Sequence, residues 1–234
     1  MAAPVFEAAG TYLAQETASP AVTVPSGTAA GKLVAVSMFV DGAALTPTPD
    51  AGFADAEGAP SQIAAGSGAH SLFVWVKRLT GADAGTYTFA LGASRYVEAV
   101  ATLYSPVVAA GTPFDSPTDT ATDIASNTVT PAVDVTTLGP DRLVVWAATN
   151  WSGGTWTAPA SPAGFVKRAQ GGFGLVTICD APFPTEGSTG PVTGSCTGSD
   201  KRCVWMGALV GTTSAAVPGP PLVRRPLMGA LLQL

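Results

Sequence analysis

Glycine and proline set the first limit on this chain: 27 Gly and 20 Pro among 234 residues put a helix breaker at about every fifth position. Within a helix each Gly costs about 1 kcal/mol and each Pro about 3 kcal/mol relative to Ala, so coiled coils and long helices are excluded. The glycines have no period of three, which excludes collagen. What remains is a chain of short strands and tight turns. It must also bury a core, because 47% of its residues are hydrophobic and only 12% are charged, a balance that excludes intrinsic disorder.

An internal repeat organises those strands. Gly31-Lys32-Leu33-Val34-Ala35-Val36 is answered, roughly 110 residues later, by Pro140-Asp141-Arg142-Leu143-Val144-Val145. The turn Pro49-Asp50-Ala51-Gly52-Phe53 returns as Pro162-Ala163-Gly164-Phe165. Leu72-Phe73-Val74-Trp75 returns as Leu175-Val176-Thr177-Ile178, and Arg95-Tyr96-Val97-Glu98 as Arg202-Cys203-Val204-Trp205. Alternation such as Tyr87, Phe89 and Leu91 on one face with Thr86, Thr88 and Ala90 on the other marks half-buried strands. Nearly unbroken apolar runs such as Leu33 to Val40 and Leu143 to Ala148 mark strands covered on both sides, so a shared interface between the units is expected.

The expected fold is therefore all-β, with two tandem, sequence-similar antiparallel β-sandwich units of jelly-roll-like build. They span 20–110 and 128–214, with an N-terminal extension at 1–19, a linker at 111–127 and a Pro-rich extended arm at 215–234. The extension carries Val5, Phe6, Tyr12 and Leu13, apolar enough to pack as an added edge strand. Pro218, Pro220, Pro221 and Pro226 forbid regular helix or central strand through most of the arm.

Chemistry is sparsely signalled. A net charge of −5 without clustered Lys and Arg gives no footprint for nucleic acid. The longest uncharged stretches, such as Ala99 to Phe114, are broken by Pro and Gly, so no membrane span is expected. The opening MAAPVFEAAG lacks the basic and apolar regions of a secretory signal. His70 is the sole histidine, and no nucleophile elbow or second triad member accompanies it, so it reads as a histidine at a strand entrance. No zinc spacing occurs, and Asp115, Asp119 and Asp123 recur every four residues as ordinary turn chemistry more readily than as a calcium loop. A non-enzymatic protein without cofactor or metal is expected.

Three features remain as sites. Cys196 and Cys203 align with Phe89 and Tyr96, which flank a hairpin turn, and so read as cross-strand neighbours, either bridged by a disulfide or filling the place of an aromatic pair. Asn150, Trp151 and Trp156 lie in a Gly-rich loop whose indoles suit either a sugar-stacking platform or an interface. In the arm, Leu222, Leu227, Met228, Leu231, Leu232 and Leu234 offer apolar anchors, and Arg224 and Arg225 can pair with acidic groups on a partner.

Taken together, the blocks from Gly31 to Val34, Pro49 to Phe53, Leu72 to Lys77, Gly85 to Leu91 and Arg95 to Tyr104, then Gly111-Thr112-Pro113-Phe114-Asp115 and the degenerate second copy, resemble double-repeat β-sandwich virion structural proteins. Proteins of that kind are encoded by phages and prophages of actinobacteria. The resemblance covers residues 20–213 and implies a virion component of the capsid-decoration, head-fibre or minor-tail kind. It implies other virion proteins and copies of the chain as partners, and it brings no catalytic residues. The alternative reading is a carbohydrate-binding module for host-surface glycans.

Overall fold

Among the described residues, every regular element of the computed structural model is a β-strand. The structure describes residues 2–212 except 43–44, 57–58, 60, 64–67, 82 and 84. The first half contains β1 (Val5–Ala9), β2 (Leu13–Thr17), β3 (Ala21–Thr23), β4 (Leu33–Asp41), β5 (Thr48–Pro49), β6 (Ala54–Asp55), β7 (Ser61–Ile63), β8 (His70–Arg78), β9 (Thr86–Ala90) and β10 (Arg95–Ser105). The second contains β11 (Phe114–Val129), β12 (Thr136–Thr137), β13 (Arg142–Asn150), β14 (Trp156–Thr157), β15 (Val166–Gln170), β16 (Val176–Phe183), β17 (Gly187–Ser188) and β18 (Ser195–Leu209). No helix of the described residues is long and apolar enough to cross a membrane.

Two large antiparallel sheets dominate. The first has the order β1-β10-β4-β8-β6, with β2 also on β10 and β7 also on β8. The second has the order β11-β18-β13-β16-β15, with β14 also on β18. In both, the strand opened by the Leu-Val block is central, and the strand after the Pro/Gly-Phe turn lies at an edge. Two small sheets, β3-β9-β5 and β12-β17, complete the β-sandwich-like fold.

The period-two alternation of a strand explains how these pieces stack. Along β4, Leu33, Ala35 and Phe39 join one core, while Val34, Val36, Met38 and Val40 join another. Along β13, Leu143, Val145 and Ala147 join that same first core, while Val144, Trp146 and Ala148 join a third. The first core thus draws on both halves of the chain, and the two large sheets pack face to face. The outer face of the first sheet is closed by Val22, Tyr87 and Phe89 from β3 and β9. That of the second is closed by Val133, Val135 and Val192, from segments joined by a β-bridge. Strands buried on both faces account for the continuous apolar runs of the sequence.

Two expectations are corrected here. Most of the segment 111–127 is not a linker: from Phe114 onward it is the start of β11, a 16-residue edge strand paired along β18. Its Thr and Asp residues suit an edge, where polar side chains meet water and discourage further pairing. No hairpin turn separates Cys196 from Cys203, because Ser195–Leu209 is one continuous strand. Cys196 faces the third core and Cys203 the shared one, so the two thiols point to opposite faces and both are free. The N-terminal extension forms β1 and β2, which pair end to end along β10.

A core owned by both halves ties their stabilities together. Urea unfolding followed by far-UV circular dichroism and tryptophan fluorescence is expected to give one coincident transition. Trp205→Ala, which empties the centre of the shared core, is expected to lower stability by about 3–5 kcal/mol. Two separate transitions in the native chain would show that each half stands without the shared core.

Candidate functional site

The chemistry-bearing residues gather where β4 and β13 end and where β8, β10 and β16 begin. Asp41, the last residue of β4, pairs with His70, the first of β8. Tyr96 lies at the start of β10, Trp151 directly follows β13, and Leu175 directly precedes β16. Phe39, Asp41 and Tyr96 from the first half and Trp151 and Leu175 from the second line a pocket of about 290 Å³. Its walls are three aromatic rings and a leucine, with one carboxylate, the mix of apolar surface and few polar groups usual in ligand sites. Phe39 stands 6.0 Å from Trp151, centroid to centroid, and stacks on His70 at 5.1 Å.

Polar struts across the seam hold this end together. His70 is fully buried, with Nδ1 2.9 Å from the Gly68 carbonyl and Nε2 3.0 Å from the Thr149 hydroxyl in the opposite sheet. Burial favours the neutral ring and pulls its pKa down to about 4. Glu98, also fully buried, accepts the backbone N–H groups of Phe173 at 2.6 Å and Leu175 at 2.8 Å. Its pKa is raised by burial, against the opposing pull of those N–H bonds. Glu98 therefore anchors the Gly171-Gly172-Phe173-Gly174 loop of the second half from the first half. At the far side of the seam Arg168 pairs with buried Asp180 at 2.8 Å and covers the ring of Phe6 at 4.7 Å.

The structure separates the three residues expected to form a sugar platform. Trp151 is half-buried and lines the pocket. Trp156 is 2% exposed, donates its indole N–H to the Gly174 carbonyl at 2.7 Å and stands edge-on to Trp146, so it is a core residue. Asn150 is fully buried, and its amide nitrogen donates to the carbonyls of Gly153 at 2.8 Å and Gly198 at 3.1 Å, so it clamps the turn rather than meeting solvent. Asn150 ends β13 with its side chain turned into the turn that follows, and Trp156 lies on β14 with its ring in the third core.

The remaining candidates are placed as follows. Burial pushes the Cys203 thiol up to about 12, and that of Cys179 likewise, which leaves both unreactive near neutrality. The three recurrent aspartates of β11 do not converge. Asp115 pairs with Arg142 at 2.7 Å, Asp119 accepts the Asp134 N–H, and Asp123 accepts the side-chain amide of Asn127. Among the described residues no group of three or more His, Cys, Asp or Glu converges. Leu222, Arg224, Arg225, Leu227, Met228, Leu231, Leu232 and Leu234 lie outside the described residues.

Sequence reasoning missed Phe39, Asp41, Tyr96 and Leu175 as pocket residues and Glu98 as the loop anchor. The repeat relates the strand opened by Leu33 to the one opened by Leu143, but an alignment does not show that the ends of matched strands meet across a seam.

His70 generates a pH prediction. Its folded pKa is depressed, so its contribution to stability is complete above the unfolded value of 6.5 and is lost as pH falls through about 4. The loss should reach about 3 kcal/mol between pH 7 and pH 4. Glu98 works in the opposite direction, since a raised folded pKa stabilises as pH falls. The difference between native protein and His70→Gln in urea melts isolates the histidine. That difference should shrink steadily from pH 7 to pH 4, and a constant difference would show that His70 does not carry the effect.

Comparison of the chain with family models, curated proteins and solved structures returns no match, so the pocket has to be interpreted from its own residues.

Proposed function

We propose that the chain is a non-enzymatic structural protein of a bacteriophage virion, a capsid-decoration, head-fibre or minor tail component. In this reading it consists of two tandem, sequence-similar antiparallel β-sandwich units of jelly-roll-like build. It docks on other virion proteins, and on copies of itself, through the C-terminal arm. The observation that carries the reading is a body whose broad apolar faces are used internally. The large sheets cover each other, and their outer faces are closed from within the chain. Docking then falls to an appendage, and the sequence beyond Thr212 supplies one rich in Leu and Arg. Thr212, the last described residue, forms a β-bridge with Ala2.

The test is a truncation at Pro218 in the encoding phage. The shortened protein should keep its melting temperature and be lost from purified particles. Unchanged incorporation would overturn docking through the arm.

A second reading, a module that grips host-surface glycans, is favoured by one observation: Trp151 lines a pocket with two further rings and a carboxylate. A flat apolar ring face suits the CH groups of a sugar, and a carboxylate accepts its hydroxyls. Asn150 and Trp156 have no part in this reading, because both are spent on internal contacts. On a glycan array the native protein should give a saccharide-dependent signal that Trp151→Ala removes while its far-UV circular dichroism spectrum stays that of the native fold. An array silent for the native protein would end the reading.

A further inference from the structure

We infer that the pocket is the closed end of a longer aromatic cleft, and that its ligand is a neutral, linear oligosaccharide. The terminal sugar would sit against Trp151, and the next would lie across Phe173 and Tyr12. This inference rests on the glycan reading and adds the direction, length and charge of the ligand.

Phe173 is the starting observation. The residue is 67% exposed, although its backbone N–H is held by Glu98 and its carbonyl accepts the Gly154 N–H. A Cβ on Gly171 would fall 2.0 Å from a Glu98 carboxylate oxygen, and one on Gly172 would fall 2.5 Å from the Tyr12 ring. The N–H of Phe173 is held by Glu98. A mobile loop could fold its phenyl ring inward and recover roughly 25 cal/mol for each Å² removed from water. This loop holds the ring outward, so the exposure belongs to the folded design and fits a surface kept for a ligand.

The neighbours of Phe173 define a direction. Tyr96 stands edge-on to it at 6.1 Å and also lines the pocket. Tyr12, 52% exposed, packs on Gly172 at the other side. Aromatic surface therefore continues from the pocket through Tyr96 and Phe173 to Tyr12. About 290 Å³ is at the lower end for ligand pockets, room for one ring rather than a chain. Further sugars must extend along the exposed side, where rings offer stacking faces.

The polar groups select the chemistry. The Asp41 carboxylate has no ion pair or hydrogen bond among the described residues, and the buried Tyr96 hydroxyl has no partner there. The pocket thus presents an acceptor that wants N–H or O–H donors, and it presents negative charge in a chain of net charge −5. Acidic sugars are repelled. A neutral N-acetylated sugar fits, with its amide N–H toward Asp41 and its methyl group against Phe39 and Leu175.

The experiment is titration calorimetry of the full chain with N-acetylglucosamine and its β-1,4-linked di- and trisaccharides. The trisaccharide is expected to bind about tenfold more tightly than the monosaccharide. Phe173→Ala should abolish that gain, so that the three saccharides bind with equal affinity, while the far-UV circular dichroism spectrum stays that of the native fold. Trp151→Ala should remove binding of all three. Equal affinity for the three saccharides, or a gain that survives Phe173→Ala, overturns the inference while the glycan reading stands. Failure of all three to bind also overturns it, and the glycan array then decides separately whether the reading survives.

Discussion

The face-to-face burial of the two large sheets is the constraint on which the rest of the molecule depends. It takes Leu33, Phe39, Leu72, Val74 and Tyr104 from the first half and Leu143, Val145, Ile178, Trp205 and Leu209 from the second out of water together. Burial of side chains of this size stabilises by about 1.5–3 kcal/mol each, so the seam is a major part of the folding free energy. Hydrophobic burial is non-directional, however, and would tolerate sliding of one sheet over the other. Register comes from polar groups that cannot stay unpaired inside the seam. His70 meets Thr149, Glu98 meets the Phe173 loop, and the Ser61 hydroxyl donates to the Ala121 carbonyl. Displacing the sheets would strand each of these groups in a dry interior.

The same seam produces the pocket. Strands end where turns begin, and stacking two sheets brings the ends of β4 and β13 together with the starts of β8, β10 and β16. Rings that would be separate loop residues in either sheet alone become opposing walls. Glu98 shows how closely scaffold and site are linked. A buried carboxylate is costly unless it is hydrogen-bonded, and this one is satisfied by the backbone of the loop that presents Phe173. Support for the body and placement of the exposed ring are the same interaction.

The proposed structural role and the proposed glycan role make different demands on the chain. Docking by the arm needs a rigid body whose own cores are closed, and three internal cores provide that. Ligand binding needs an opening in that closure, and the pocket at the seam provides one.

The all-β character was legible because Gly and Pro density and period-two alternation act locally: they restrict backbone angles and set which side chains share a face. The unbroken apolar runs of β4 and β13 likewise revealed two-sided burial. The segment from Phe114 to Val129 was misjudged because an edge strand needs few apolar residues and so carries the composition of a loop. Cys196 and Cys203 were misjudged because the alignment imposed the first half's turn on a strand that runs straight through. Trp151 was singled out in the sequence and lines the pocket, but its companions there were not, since Phe39, Asp41 and Tyr96 are distant in the chain. By itself the sequence determined the all-β character of the chain and which residues alternate within its apolar strands, because those properties depend on near neighbours. Only the tertiary structure decided which sheet faces which, which polar groups pair across the seam and which rings share a pocket. Those outcomes depend on non-local burial, which no single stretch of sequence encodes.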